Sequence, residues 1–294
     1  MERFQKTLTE GFMIIAVTGA NGGLGRSTIA ALKACIPSSS ILALVRSPEK
    51  AADLGVEVRS FDYDKSPEQL AQSLKGVDVL LLISSADLGK RGEQHGNVIK
   101  AAKIAGVKRI VYTSIVNADT SLLSLAEEHR ETESALREAG VPFTILRNGW
   151  YAENPLHGLE GVRASGKLIR SAGNGKISFA TRDDLAEAAA IVLTGTGHEG
   201  KVYELGGDTP YTMADCAAEL SKHFGRDIPY ADLPVEQYAG ILAGVGMPAP
   251  FAQAVASWDA AASKGSLFHD GNDLRTLLGR PTVPISAVIA QVAK

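Results

Sequence analysis

Six short apolar runs alternate with helix-like stretches through the first half of this 294-residue chain. That rhythm narrows the fold more than any other feature. Residues 13–18, 41–46, 56–62, 77–84, 109–114 and 142–148 read as strands, because they are short, mostly apolar and bounded by glycine, proline or polar clusters. The run at 77–84 is nearly all apolar, as expected when both faces of a sheet are covered. Between the runs, 24–35, 91–105 and 126–140 read as helices, the last two stopped at Gly106 and Gly140. Ser47-Pro48-Glu49 and Ser66-Pro67-Glu68 each open a further helix, with serine as cap and proline in first position. Strand, helix, strand repeated this way predicts an α/β fold. Its core is a doubly wound parallel sheet with right-handed crossovers and ligands at the carboxyl ends of its strands.

After Trp150 the rhythm changes. Residues 181–195 and 212–225 read as helices and 201–207 as a strand, whereas 151–176 and 228–294 are broken by glycine, proline and polar residues. The expected organisation is a dinucleotide-binding domain from 13–150 and 181–225. A smaller C-terminal substrate lobe takes 151–180 and 226–294, and 1–12 form an N-terminal extension before a second methionine, Met13.

Composition excludes several partners. A net charge of −3 offers no basic field for nucleic acid or an anionic membrane. No apolar run reaches the roughly 18 residues that a membrane span needs. Cys35 and Cys216 stand far apart, without CxxC or Cys/His metal spacing, so no metal is expected and both thiols are expected in the core. Isolated thiols without a secretion signal fit a reducing, cytoplasmic setting. The oligomeric state stays open, a homodimer included.

The strongest chemical signal is Thr18-Gly19-Ala20-Asn21-Gly22-Gly23-Leu24-Gly25, between the first strand and the first helix. Glycine allows a tight turn and close backbone approach, and the helix start directs N–H groups and a positive dipole end at phosphates. Asn21 is a residue type that tolerates unusual turn conformations. Where an NAD site carries an acid at the end of strand two, this chain has Arg46. A guanidinium there suits the 2′-phosphate of NADPH; an ordinary exposed arginine at a strand end is the other reading. Asp62 ends strand three, either to meet the adenine amino group or to cap the turn before Asp64. Ile83, Ser84 and Ser85 end strand four and should lie beside the ribose and phosphates.

A tyrosine acid, expected on the helix after Tyr112-Thr113-Ser114 in many proteins of this fold, is missing. His129 and Glu133 stand there instead. His129 is either a proton donor or a solvated side chain on a charged helix. At the end of strand six, Arg147-Asn148-Gly149-Trp150 sets an amide beside an aromatic wall, which suits a flat carbonyl-bearing ring. Asn148 could donate to a developing oxyanion. Trp150 could equally pack the lobe, and Arg182 could equally pair with Asp183 or Asp184.

Together TGANGGLG (18–25), LVRSPEK (44–50), AGVKRIVYTS (105–114), LRNGWYAEN (146–154) and GKISFATRDD (175–184) carry a resemblance. The sequence resembles the NmrA-like atypical short-chain dehydrogenases, an extended Rossmann group. Within them it is similar to the type 2 NADPH:quinone oxidoreductases and then to the triphenylmethane reductases. The likeness spans nearly everything after Met13, with Asn21 in place of the group's usual threonine. It implies that Gly19, Ala20, Asn21, Gly22, Gly23 and Leu24 hold the pyrophosphate and Arg46 the 2′-phosphate. Ile83, Ser84 and Ser85 would line the cofactor channel, and Thr144, Ile145, Leu146, Arg147, Asn148 and Gly149 the nicotinamide side. Arg182 would reach the cofactor, and Asn148, Trp150 and Tyr151 would border the acceptor pocket. The implied activity is NADPH-dependent hydride transfer to a quinone or dye-like acceptor. The alternative is an NADP(H)-binding redox sensor without turnover. An epimerase is disfavoured, because that chemistry needs the tyrosine base.

Overall fold

The structure, a computed structural model, describes residues 13–292, and the extension expected at 1–12 lies outside them. Strands β1 (Ile15–Thr18), β2 (Ile41–Val45), β4 (Val79–Leu82) and β5 (Arg109–Ile115) are buried along their whole length. With β3 (Glu57–Ser60), β6 (Phe143–Asn148) and β8 (Val202–Leu205) they form one seven-stranded sheet in the order β3-β2-β1-β4-β5-β6-β8. Every pair in it is parallel. β7 (Leu168–Arg170) and β9 (Tyr230–Asp232) form a separate two-stranded sheet.

Side chains of alternate strand residues serve opposite faces. Ile15, Val17, Ala43 and Leu81 pack with helices α1 (Gly23–Cys35) and α6 (Arg182–Thr194). Ala16, Leu44 and Leu80 pack with α2 (Pro67–Ser73), α3 (Arg91–Ala105) and α4 (Ala126–Glu138). Covering both faces explains why the strands read as continuous apolar runs, and each fully buried Leu or Ile stabilises the fold by about 1.5–3 kcal/mol. A third cluster joins the segment after β5 to α7 (Met213–Phe224), and takes Val162 from α5 (Leu159–Ser165). α8 (Val235–Gly244) packs on α9 (Ala249–Ser263). The proline-broken stretch from 228 therefore holds, among the described residues, β9 and four helices, the last two being α10 (Asp273–Leu278) and α11 (Ile285–Val292).

Two expectations need correction. Ser66 caps α2 in a reciprocal box with Gln69, but the segment Pro48–Leu54 winds as a 3-10 helix and the Ser47 side chain caps nothing. Lys50 stands where Gln69 stands in the other motif; it carries no acceptor to return the bond, and its N–H bonds Ser47 O at 3.1 Å. The thiol of Cys35 is exposed near the end of α1, while Cys216 is buried and its pKa is pushed up to about 12 by burial.

Candidate functional site

The sheet order reverses on either side of β1, and a cleft opens there at the carboxyl ends of the strands. It encloses about 260 Å³. One wall is the glycine turn. Gly19 adopts a left-handed φ of +57°, and its carbonyl accepts from Gly22 N at 2.9 Å. A Cβ on Gly25 would stand 2.3 Å from Gly19 O, so the start of α1 can approach β1 only without a side chain there. No side chain caps α1 and no acid stands in its first turn. Gly19, Asn21 and Gly22 face the cleft, while Ala20 and Leu24 are buried in the core. Among the described residues, the non-glycine at positive φ is Asn117; Asn21 is not, so its turn tolerance is not what the loop uses.

Arg46 lines the cleft with a side chain 70% exposed, its nearest acid being Asp87 at 4.0 Å. Asp62 also lines it, and Oδ1 of Asp62 accepts from Asp64 N at 3.3 Å, so the turn-capping reading is realised within the cleft wall. The backbone N–H groups of Ile83, Ser84 and Ser85 donate to Thr18 Oγ1, Thr113 Oγ1 and His95 Nε2, each at 2.9 Å. These bonds fix a ledge along the cleft floor. Sequence reasoning missed Tyr63 and Gln94 in the same wall. The Tyr63 hydroxyl donates to Ile83 O at 2.8 Å, and burial pushes its pKa up. Gln94 Nε2 bonds Asp64 and Asp87, whereas its Oε1 is buried without a partner. An aromatic residue three positions past the end of β3 was a usable signal; Gln94 had none.

At β6 the structure divides the predicted set. Thr144, Ile145 and Leu146 have no accessible surface, so they offer no face to a ligand; Thr144 Oγ1 donates to His198 O at 2.8 Å. Arg147 spends its guanidinium on Glu133, Asp119 and Glu204 at 2.7–2.9 Å. Burial opposes its charge, but the three carboxylates raise its pKa overall. Asn148, 5% exposed, ends the strand, and its Oδ1 is buried without a partner. The buried, unfilled position on this amide is an acceptor. A Cβ on Gly149 would stand 2.8 Å from Ser178 O, which forces glycine there.

Trp150 packs edge-on against Trp258 with centroids 6.0 Å apart, so lobe packing holds its ring. Tyr151 pairs by a backbone bridge with Ala180. Arg182 does not pair with Asp183, which bonds Ser27, or with Asp184, which pairs with Arg280. Its guanidinium lies 4.3 Å over the Tyr151 ring and 3.0 Å from Glu153, and its stem crosses Gly23 at the start of α1. Burial raises the Tyr151 pKa, against which the Arg182 charge and the Asn148 amide both pull.

His129 is buried, not solvated. Its Nδ1 meets the Tyr112 hydroxyl at 2.7 Å, and its Nε2 faces Arg91 at 3.4 Å. Burial and then the Arg91 charge push its pKa well below the usual value, so it stays neutral and has no proton to give. His95, touching Thr132 Oγ1 at 2.9 Å, is held at about 3 by burial and Arg91. The cleft therefore combines a bare helix start with an exposed arginine at the end of β2, which fits a phosphate-rich dinucleotide. Among the described residues no cluster of His, Cys, Asp or Glu could hold a metal ion.

Residues 19–195 match a family described as NAD(P)H-binding. The chain is 47% identical over 282 residues to quinone oxidoreductase 2 of Escherichia coli (strain K12), across 95% of this chain and 98% of that protein. The NAD(P)H azoreductase of Xenophilus azovorans is 30% identical over 273 residues, 91% of this chain and 94% of that protein. Among solved structures, the E. coli NADPH-dependent quinone oxidoreductase complexed with NADPH aligns at TM-score 0.92 and 47% identity, covering 96% of this chain and 100% of that one. The Citrobacter sp. triphenylmethane reductase complexed with NADP(H) aligns at TM-score 0.90 and 40% identity, covering 94% and 99%.

Proposed function

The chain belongs to the NAD(P)H-binding family, and from that premise we propose that it reduces quinone-like acceptors by direct hydride transfer from NADPH. The single observation that carries the cofactor half is the uncapped start of α1 against Gly19 and Gly25, with Arg46 exposed at the end of β2. In this reading the first turn of α1 and Arg182 hold the diphosphate, and Arg46 grips the 2′-phosphate. The ledge Ile83–Ser85 supports the sugar between them. Asn148 Oδ1, buried and unfilled, accepts from the carboxamide end of the nucleotide.

When bound, NADPH supplies the hydride. The residues of the chain contribute by position, holding two flat rings in contact and keeping water from the reacting faces. Asn148, Trp150 and Tyr151 border the acceptor. A quinone gains aromaticity on reduction and can take its last proton from water, so the absent tyrosine acid is no obstacle. His129, buried neutral beneath the ledge, is a support and not the acid. We read the body of 13–150 and 181–225 as the cofactor domain, and 151–180 with 226–294 as the lobe that covers the acceptor. No described helix is long and apolar enough to cross a membrane, and the separate free cysteines suit a cytoplasmic protein.

The test follows nicotinamide absorbance in mixtures of purified protein, NADPH and benzoquinone or naphthoquinone. Oxidation should require both protein and acceptor. Rates no higher than the protein-free mixture, across all acceptors, would refute the enzyme and leave the sensor reading.

A further inference from the structure

Arg91 is a buried cation whose counter-charge is missing. The side chain belongs to a residue only 9% exposed, at the first turn of α3. Its Nε donates to Ser85 O at 2.6 Å and its Nη1 faces His129 Nε2 at 3.4 Å, both neutral partners. The nearby Glu128 carboxylate accepts from the backbone N–H groups of Gly89 and Arg91. Among the described residues no carboxylate forms an ion pair with the Arg91 guanidinium. The other deeply buried arginines are answered: Arg147 by three acids, Arg109 by Glu199 at 3.5 Å and by three carbonyls. An unpaired buried charge is expensive, and a site that keeps one is built for an anion.

Location narrows which anion. Arg91 holds the Ser85 end of the ledge and touches α4 at His129, where many proteins of this fold carry the tyrosine acid. Ser85, whose carbonyl it grips, lines the cleft beside Ile83 and Ser84. The phosphates of a dinucleotide already have the start of α1, Arg182 and Arg46. What remains is the charge that the reaction itself makes.

We propose that Arg91 stabilises the oxyanion of the reduced acceptor. The proposal rests on the reading of the cleft as a quinone site. Hydride transfer forms a bond from hydrogen to one quinone oxygen and moves the ring electrons to the other, giving a hydroquinone monoanion while NADPH becomes NADP⁺. The monoanion then takes one proton from water, leaving hydroxide. A fixed guanidinium at the anionic oxygen lowers the barrier without giving up a proton, which is how a site lacking a tyrosine acid can work.

The test uses the full chain saturated with NADP⁺, so that no turnover occurs. Two probes are titrated by quenching of tryptophan fluorescence: hydroxynaphthoquinone, an anion at neutral pH that stands in for the oxyanion, and uncharged naphthoquinone. Wild type should bind the anion more tightly. Arg91→Gln, which keeps a donor for Ser85 O but no charge, should lose on the order of tenfold in anion affinity and change little toward the neutral probe. Arg91→Lys, which keeps the charge, should retain much of the preference and decides the matter if the glutamine variant does not fold. Equal binding of both probes by wild type, an equal loss of both in the glutamine variant, or a loss confined to NADP⁺ would overturn the role of Arg91. Wild-type protein that binds neither probe would instead sink the quinone reading beneath it.

Discussion

Arg147 shows how a residue at a ligand-facing strand end can be wholly committed to structure. Glu133 is buried beside it, Glu204 is partly buried, and Asp119 is 70% exposed at the rim. Burial works against the Glu133 charge, but Arg147 and then Ser114 hold its pKa below the ordinary glutamate value. The unequal burial predicts unequal costs. Glu133→Gln should destabilise the fold by about 3 kcal/mol or more, as breaking a buried pair does, while Asp119→Asn should cost under about 1 kcal/mol. Urea unfolding of the two variants checks this, and equal midpoints would show that the network is not anchored at Glu133. Arg147 could be placed at the end of β6 from sequence, but its partners could not. They come from α4, β8 and the loop after β5, and no local pattern announces that three acids from separate elements will converge. The same limit hid Arg91 and the burial of His129, which a charged helix sequence made look solvated.

The interface of α3 and α4 carries two histidines that are neutral because they are buried. His95 meets Thr132 and is held at about 3; His129 meets Tyr112 and is also strongly depressed. In the unfolded chain both titrate near the ordinary histidine value of 6.5. Below that value the unfolded state binds protons that the folded state refuses. Their stabilisation is therefore complete above about pH 6.5 and is lost as pH falls toward the folded values, by about 1.4 kcal/mol per pH unit for each ring. Depressed carboxylates such as Glu133 add to the loss only below about pH 4.5. Urea midpoints should drop between about pH 7 and about pH 5, and His95→Gln should flatten that dependence; a slope that the substitution leaves unchanged would place the titrating group elsewhere. Elements themselves were readable where a local device fixed them. Ser66 with Gln69 started an α-helix as expected, whereas Ser47 with Lys50 lacked the returning bond and gave a tighter turn.

Across the whole molecule, the alternation of apolar runs and helices was enough to predict a doubly wound parallel sheet, and the seven-stranded order around β1 agrees. The places of the glycine turn and Arg46 in the cleft wall were readable because each position is set by the element it belongs to: a strand-to-helix turn and a strand end. The Asn148 acceptor, Gln94 and the stacking of Arg182 on Tyr151 depend on how separate segments meet, and the sequence carries no signal for them. The central claim is that a diphosphate rests on the start of α1 while Arg46 holds an extra phosphate beyond it. The most direct measurement is kcat/KM for NADPH and for NADH with one quinone, in wild type and in Arg46→Glu. Wild type should prefer NADPH, and the substitution should cut that preference by about tenfold or more through the NADPH value alone. An NADPH-to-NADH ratio that Arg46→Glu leaves unchanged would contradict the account.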